Sequence, residues 1–256
     1  MIKLAFYGKG GIGKSTAASN VSVALAQKGL KVMQIGCDPK ADSTINLLGG
    51  EPVMPVMNYL REHDDEPESI EEISKEGYGG VLCIETGGPT PGLGCAGRGI
   101  IAALEELEKK GAYEKYQPDV VIYDVLGDVV CGGFSMPMRK GYADKVFIIT
   151  SGESMSVYAA ANIAMAVENF KSRGYASLGG FILNKRNVKN EEKKAVELAA
   201  DFHSSVIAEI DRSDLVSEAE DMRKTVMEAF PDSTAAEQYR ALADKIAELC
   251  AMGEEK

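Results

Sequence analysis

An octapeptide close to Met1 combines residue types that bind a phosphate group. It reads Gly8-Lys9-Gly10-Gly11-Ile12-Gly13-Lys14-Ser15, and it follows the apolar run 2–7 and precedes a helical pattern that begins at Thr16. Glycines let successive backbone N–H groups point at one phosphate, the Lys14 ammonium adds a positive charge, and the Ser15 hydroxyl can ligate Mg²⁺. The helix that follows adds the positive end of its dipole. This order of strand, glycine-rich loop and helix predicts a nucleotide-binding site.

A second lysine, Lys9, lies inside the same loop, where ordinary nucleotide hydrolases accept almost any residue. Two interpretations stay open. Either the side chain lies on the surface, or it reaches a phosphate that a neighbouring subunit binds.

Four aspartates are placed to act near that phosphate. Asp38 and Asp42 follow the second apolar run, where a carboxylate can act on Mg²⁺ or orient the attacking water. Asp42 or the adjacent Ser43 could instead cap a helix. Asp124 ends the run 119–124 and occupies the position of an acidic Walker-B residue, which holds Mg²⁺ directly or through water. Asp128 can sense the nucleotide or cap a turn.

Two of the five cysteines lie in glycine-rich loops, Cys95 in residues 87–99 and Cys131 in residues 128–133. Glycines around a thiolate let backbone N–H groups approach the sulfur, a setting that tunes an iron–sulfur cluster. A four-iron cluster needs four thiolates, and a symmetric dimer would supply two from each subunit. The other cysteines are predicted to be packed core residues, because a free cysteine behaves as a small hydrophobe; they are Cys37, Cys83 and Cys250.

Composition excludes several other classes of protein. The formal net charge of −11 opposes binding to a nucleic acid backbone. An odd number of cysteines argues against a disulfide framework, and only two histidines, His63 and His203, make a histidine-based zinc centre a poor fit. Both histidines are expected at the surface. We found no apolar run long enough to cross a membrane and no secretory leader, so a cytoplasmic protein is expected.

Short β-branched runs alternate with helical patterns along the chain. This alternation predicts one α/β domain over residues 1–256, with a doubly wound, mostly parallel sheet and helices on both faces. The predicted strands are residues 2–7, 31–35, 80–84, 120–123, 146–150, 179–183 and 206–208. The predicted helices are residues 16–27, 100–110, 155–172, 191–202 and 234–252. Residues 62–76 are expected to form a solvated loop and helix.

Ligands in such sheets bind beyond the carboxyl ends of the strands. We therefore expect four loops to lie at the edge that carries the phosphate site: residues 36–43, 85–99, 124–133 and 151–155.

Five segments resemble the nitrogenase iron protein family, and the resemblance runs from Ile2 to about Leu249. They are YGKGGIGKS (7–15), GCDPKADST (36–44), GGPTPGLGCAGRG (87–99), YDVLGDVVCGGF (123–134) and YRALA (239–243). The resemblance implies a P-loop NTPase of the deviant Walker-A type. It further implies a homodimeric oxidoreductase that uses MgATP and carries one [4Fe–4S] cluster between its subunits.

The resemblance also implies roles for individual residues. Cys95 and Cys131 take the cluster-ligand positions, and Lys9 takes that of the lysine that reaches across the dimer. Asp38 and Asp128 match residues of water activation and of the relay from nucleotide to cluster, and Asn184 matches an adenine contact. Arg98 falls on an arginine that docks against the partner and is ADP-ribosylated in some members. The residues expected to contact MgATP are Gly8, Lys9, Gly10, Gly11, Ile12, Gly13, Lys14, Ser15, Thr16, Asp42, Asp124 and Asn184.

The implied partners are a nitrogenase-like heteromeric catalytic component as electron acceptor and a ferredoxin or flavodoxin as electron donor, with no nucleic acid or membrane. The substrate of the acceptor stays open between dinitrogen, a tetrapyrrole and a carbon–sulfur bond, because residues 210–214, Ser154 and Ser156 depart from the pattern of true nitrogenases. Two other classes also stay open. A partitioning or positioning ATPase would carry no cluster, and an iron–sulfur carrier scaffold would normally have closely spaced cysteines.

Overall fold

Eight strands form one sheet at the centre of the protein, in the order β3-β4-β2-β5-β1-β6-β7-β8. The computed structural model describes residues 1–63, 66–88, 96–127 and 135–251. All neighbouring strands run parallel except β3, which pairs antiparallel with β4 at the edge. The strands are β1 (Ile2–Gly8), β2 (Val32–Cys37), β3 (Ser74–Glu76), β4 (Leu82–Glu85), β5 (Val120–Val125), β6 (Lys145–Thr150), β7 (Ser177–Asn184) and β8 (Val206–Ile210).

The central strands are apolar on both faces, and this explains why helices cover both sides of the sheet. In β1, Ala5 and Tyr7 point into one core while Leu4 and Phe6 point into the other. All four side chains are almost fully buried. The predicted doubly wound α/β fold is therefore confirmed.

Two groups of helices form the outer layers. Their bounds are α1 (Lys14–Gln27), α2 (Val56–Glu62), α3 (Ala96–Lys109), α4 (Ala112–Tyr116), α5 (Ser154–Lys171), α6 (Glu191–Asp201), α7 (Asp214–Asp221), α8 (Val226–Ala229) and α9 (Thr234–Ala251). Buried residues of α1, α7, α8 and α9 belong to one core, and those of α2 to α6 belong to the other. None of the described helices is both long and apolar enough to cross a membrane.

The segment 62–76 differs from the predicted solvated loop and helix. It contains the end of α2, a 3-10 turn at Ile70–Glu72 and the edge strand β3. Ile70 and Ile73 are buried and anchor the segment to the core. Acidic residues flank Ile70 and Ile73 in the sequence and obscure the apolar pattern of the segment. The sequence therefore predicts a solvated segment where the structure has a partly buried edge.

Candidate functional site

The predicted phosphate loop connects β1 to α1, and its backbone explains its glycines. Gly11 and Gly13 have φ of 75° and 90°, the left-handed region that side chains avoid. A Cβ atom on Gly8 would lie 2.6 Å from the carbonyl oxygen of Ile149 on β6. The loop is therefore pressed against the end of the neighbouring strand, and α1 begins directly at Lys14.

Lys14 and Asp124 form a buried ion pair beneath this loop. Asp124 lies near the end of β5, is 1% exposed, and accepts a hydrogen bond of 2.6 Å from the Ser43 hydroxyl through Oδ2. This position behind Lys14 fits the predicted Walker-B role. A carboxylate there can hold Mg²⁺ through Oδ1 or through water once a phosphate takes the Lys14 ammonium.

A cleft of about 470 Å³ lies in front of the loop and has the size of a small-molecule site. Most of the predicted nucleotide contacts line it, together with the predicted catalytic residue Asp38; these contacts are Lys9, Gly10, Gly11, Gly13, Lys14, Ser15, Thr16, Asp42 and Asn184. Gly8 and Ile12 do not, because Gly8 packs on β6 and the Ile12 side chain is buried in the core. Asp124 is also absent from the lining because Lys14 lies in front of it.

The far end of the cleft is built by the segments at the ends of β7 and β8, where the resemblance implied the adenine contact of Asn184. The Asn184 amide donates to the Ile12 carbonyl at 2.6 Å, and the Arg186 guanidinium donates to that of Gly11 at 2.8 Å. Residues 211–214, 216 and 217 close this end together with Tyr239. Of the four loops expected at the site, residues 36–43 and the described part of 124–133 line the cleft, whereas no described residue of 85–99 or 151–155 does so.

The loop after β2 carries Asp38 and Asp42 into the cleft. Asp38 Oδ1 accepts a hydrogen bond of 2.9 Å from the Lys40 N–H, and Ala41 adopts φ of 53°. The alternative that Asp42 or Ser43 caps a helix is wrong, since turns follow them. The Ser43 hydroxyl donates to Asp124 instead of accepting from a helix N-terminus.

A buried polar cluster lies behind this loop, and sequence reasoning missed it. Gln34 of β2 donates to the Ser43 hydroxyl at 3.0 Å and to the Ser43 carbonyl at 3.2 Å. Glu85 of β4 accepts two hydrogen bonds from Thr44, both of 2.7 Å. Burial raises the pKa of Glu85 to about 8. Single polar residues in strands carry no spacing signal, so only the strand register brings these groups together.

The predicted cluster ligands Cys95 and Cys131, together with Asp128, lie outside the described residues. The loops that carry them follow β4 and β5, the two strands on either side of β2. Arg98 is exposed in the first turn of α3. Within the described ranges, no group of three or more His, Cys, Asp or Glu side chains is arranged to hold a metal ion.

The remaining cysteines and both histidines lie where they were predicted. Cys37, Cys83 and Cys250 are free and buried, and burial raises the pKa of each thiol, that of Cys250 to about 11. Low thiolate content is the opposite of what a metal ligand needs. His63 and His203 are exposed.

Comparison with known proteins gives a match along nearly the whole chain. A family model described as 4Fe-4S iron sulfur cluster binding proteins, NifH/frxC family, matches residues 2–252. A nitrogenase iron protein of Methanospirillum hungatei is 50% identical over 248 residues, which is 96% of this chain and 88% of that protein.

Solved structures with the same fold are more distant in sequence. The cell division ATPase MinD of Pyrococcus furiosus superposes with a TM-score of 0.74 at 18% identity, covering 97% of this chain and all of that one. MinD of Pyrococcus horikoshii, solved with Mg-ADP, gives 0.73 at 18% identity, with 98% of each chain covered. At this identity the likeness shows the fold alone.

Proposed function

We propose, from the fact that this chain belongs to the NifH/frxC family of 4Fe-4S iron sulfur cluster binding proteins, that it is an ATP-dependent one-electron reductase. Members of the family bind a 4Fe-4S cluster and use MgATP. In the proposed function, a homodimer delivers electrons to a separate nitrogenase-like catalytic component, and MgATP hydrolysis times the delivery. The observation that carries the proposal is 50% identity to a nitrogenase iron protein over 96% of the chain.

The nucleotide half of the proposal is supported by the cleft. Lys9, Gly10, Gly11 and Gly13 line the cleft where the phosphates would lie, and Lys14 is the positive charge next to them. If a phosphate bound the Lys14 ammonium, Asp124 would lose this ion pair and could hold Mg²⁺ together with the Ser15 hydroxyl. Asp38 lines the same cleft and is proposed to orient the attacking water. Lys9 is proposed to act on the nucleotide of the other subunit.

The cluster half assigns Cys95 and Cys131 as ligands, two from each subunit. A bound cluster would supply one electron at a time. Support comes from topology, because the two cysteine loops follow strands that are both neighbours of β2. Strands in a sheet lie about 4.8 Å apart, so these loops begin roughly 10 Å from each other. Residues that are far apart in the sequence can therefore meet at one surface.

Docking and domain organisation complete the proposal. Arg98 is exposed at the start of α3. We assign it to contact with the catalytic component and propose it as a site that can be ADP-ribosylated. A ferredoxin or flavodoxin is the proposed electron donor. We treat residues 1–256 as one domain, because the single sheet takes neighbouring strands from both halves of the chain.

A positioning ATPase without a cluster is the second candidate function, and the fold that this chain shares with the MinD structures favours it.

The test is iron content after anaerobic purification. We expect about four iron atoms per dimer, because two thiolates per chain cannot complete a cubane alone. Cys95→Ala and Cys131→Ala should each abolish the cluster absorption. Cys250→Ala is the matched control, since that thiol is buried in α9. Full iron content in either loop variant would refute the ligand assignment. An iron-free wild type that hydrolyses ATP would favour the positioning ATPase.

A further inference from the structure

Glu85 is a buried carboxyl group that the proposed function does not use. It ends β4 and is 1% exposed. Its Oε1 atom accepts from both the backbone N–H and the hydroxyl of Thr44, each at 2.7 Å. Its Oε2 atom has no hydrogen-bond partner among the described residues. A polar atom buried in this way is costly, so the arrangement needs an explanation.

The carboxyl group of Glu85 lies directly across Gly36 of β2. These residues are partners in the register of the two strands, and a Cβ atom on Gly36 would lie 1.9 Å from Glu85 Oε2 and 2.7 Å from the Ser43 Cβ atom. Only glycine leaves room for Glu85 to reach past β2 to Thr44. The contact is therefore built into the sheet and does not depend on a flexible surface side chain.

Thr44 and Ser43 are adjacent, and together they are tied to three strands. Ser43 is held by Gln34 of β2 and by Asp124 of β5, and Thr44 is held by Glu85 of β4. These two residues end the loop that carries Asp38 and Asp42 into the cleft. Ser43 and Thr44 therefore fix one end of that loop, and this fixed end determines the positions of Asp38 and Asp42.

We propose that Glu85 is a positioning residue for the aspartate loop: by holding Thr44 it sets where Asp38 and Asp42 stand relative to the terminal phosphate. This inference rests on the proposed function. Glu85 does not line the cleft, so it acts through Thr44 and not on the nucleotide. The elevated pKa of about 8 agrees with a neutral carboxyl group that can lie near Asp124 and Asp42 without repelling them.

The position of the loop determines which nucleotide should be affected. The phosphate loop and the far end of the cleft would hold the parts that ATP and ADP share. Only ATP has a γ-phosphate, and this group would lie toward Lys14 and the residues behind Lys14. Loss of the Thr44 anchor should therefore weaken MgATP binding more than MgADP binding. A merely structural role would weaken both nucleotides equally.

The experiment measures the dissociation constants of MgATP and MgADP for the full chain by titration calorimetry. For Glu85→Leu we expect MgATP binding to weaken about tenfold, equivalent to about 1.4 kcal/mol, with MgADP binding within about twofold of wild type. Glu85→Gln should restore the wild-type ratio, because an amide oxygen still accepts from Thr44. Thr44→Val removes one of the two hydrogen bonds and should also weaken MgATP binding relative to MgADP binding, by a smaller factor. This variant tests the inference if Glu85→Leu does not fold.

Glu106→Leu is the matched control. Glu106 is also buried and has one oxygen, Oε1, without a hydrogen bond among the described residues, but it lies in α3 and this oxygen forms an ion pair with Lys110 at 3.6 Å. It should leave the ratio unchanged. If Glu85→Leu and Thr44→Val leave the ratio of the two constants at the wild-type value, the inference is wrong. If wild type binds neither nucleotide, the proposed function itself fails.

Discussion

The carboxyl group of Glu85 makes folding depend on pH in a definite direction. Burial, with smaller contributions from the charges of Asp124 and Asp42, raises its pKa from 4.5 to about 8, although the hydrogen bonds from Thr44 act the opposite way. Between these values the folded protein holds a proton that the unfolded chain has released. The contribution of Glu85 to the free energy of unfolding therefore falls as pH rises through this range and is level above it.

Glu85→Gln removes this proton and should remove its part of the pH dependence. We expect the variant to gain stability relative to wild type as pH rises from about 5 to about 8, by about 1 kcal/mol or more. Titrating groups that do not interact with Glu85 are common to both proteins and cancel in the difference. Urea unfolding at three or four pH values measures it. Parallel stability curves for the two proteins would contradict the expectation.

Residues of the site differ in how far the sequence reveals them. Lys14 and Ser15 stand in a motif with fixed spacing, and Asp124 stands at a strand end, so a pattern predicts each of them. Gln34 and Glu85 are single polar residues within apolar runs. Their hydrogen-bond partners depend on the register of β2 and β4 and on the turn at Ser43, which are features of the tertiary structure. No local pattern could have placed them at the site.

At the scale of elements, the segment after β5 lies close against the start of the phosphate loop. A Cβ atom on Gly127 would lie 1.8 Å from the Gly8 carbonyl oxygen and 2.9 Å from the Lys9 nitrogen. The end of β5 and the start of the phosphate loop are therefore in backbone contact. Movement of one requires movement of the other, which supports a mechanical link between the nucleotide and the loop that holds Cys131.

Gly127→Ala should force these two segments apart. We expect a loss of about 1–3 kcal/mol in the free energy of unfolding, because the added methyl group meets rigid backbone. Nucleotide affinity should fall as well, since the phosphate loop must shift. Gly10→Ala is the control for stability: a Cβ atom there meets nothing within 4 Å, and its φ is not positive. Its change should stay below about 1 kcal/mol. Equal unfolding curves for both variants would exclude the close contact.

Long periodic elements were predicted well and short ones were not. The strands and main helices lie where the alternation placed them, with ends that differ by no more than four residues. The predicted strand 80–84 begins only at Leu82, because Gly79 and Gly80 have φ of 72° and 79°. The helices α4 and α8 are too short to show a helical period, and tertiary contacts of residues such as Tyr113 and Met227 hold them.

At the scale of the whole molecule, substitution of Lys9 tests whether one subunit acts on the nucleotide of the other. Its side chain is exposed and makes no hydrogen bond or ion pair within the described part of the chain. If it serves the other subunit, Lys9→Ala should keep MgADP affinity nearly unchanged. It should slow ATP hydrolysis and electron transfer by roughly 10³-fold, as loss of an arginine finger does.

Lys14→Ala is the contrasting variant, because it removes the charge within the loop itself and should weaken both nucleotides. Calorimetry gives the affinities, and small-angle scattering with and without MgATP shows whether the dimer closes. If the Lys9→Ala protein closes and hydrolyses ATP as wild type does, the proposed action of Lys9 on the other subunit is wrong and Lys9 is a surface residue.

The cleft takes its walls from both ends of the chain, and this bears on how the protein is made. Residues 9–11 and 13–16 form one wall, and residues 211–214, 216 and 217 with Tyr239 form the other. A ribosome synthesises the first wall long before the second. A nascent chain therefore has no complete cleft until α9 has left the exit tunnel. Any nucleotide that binds this cleft would stabilise only chains in which both walls have folded.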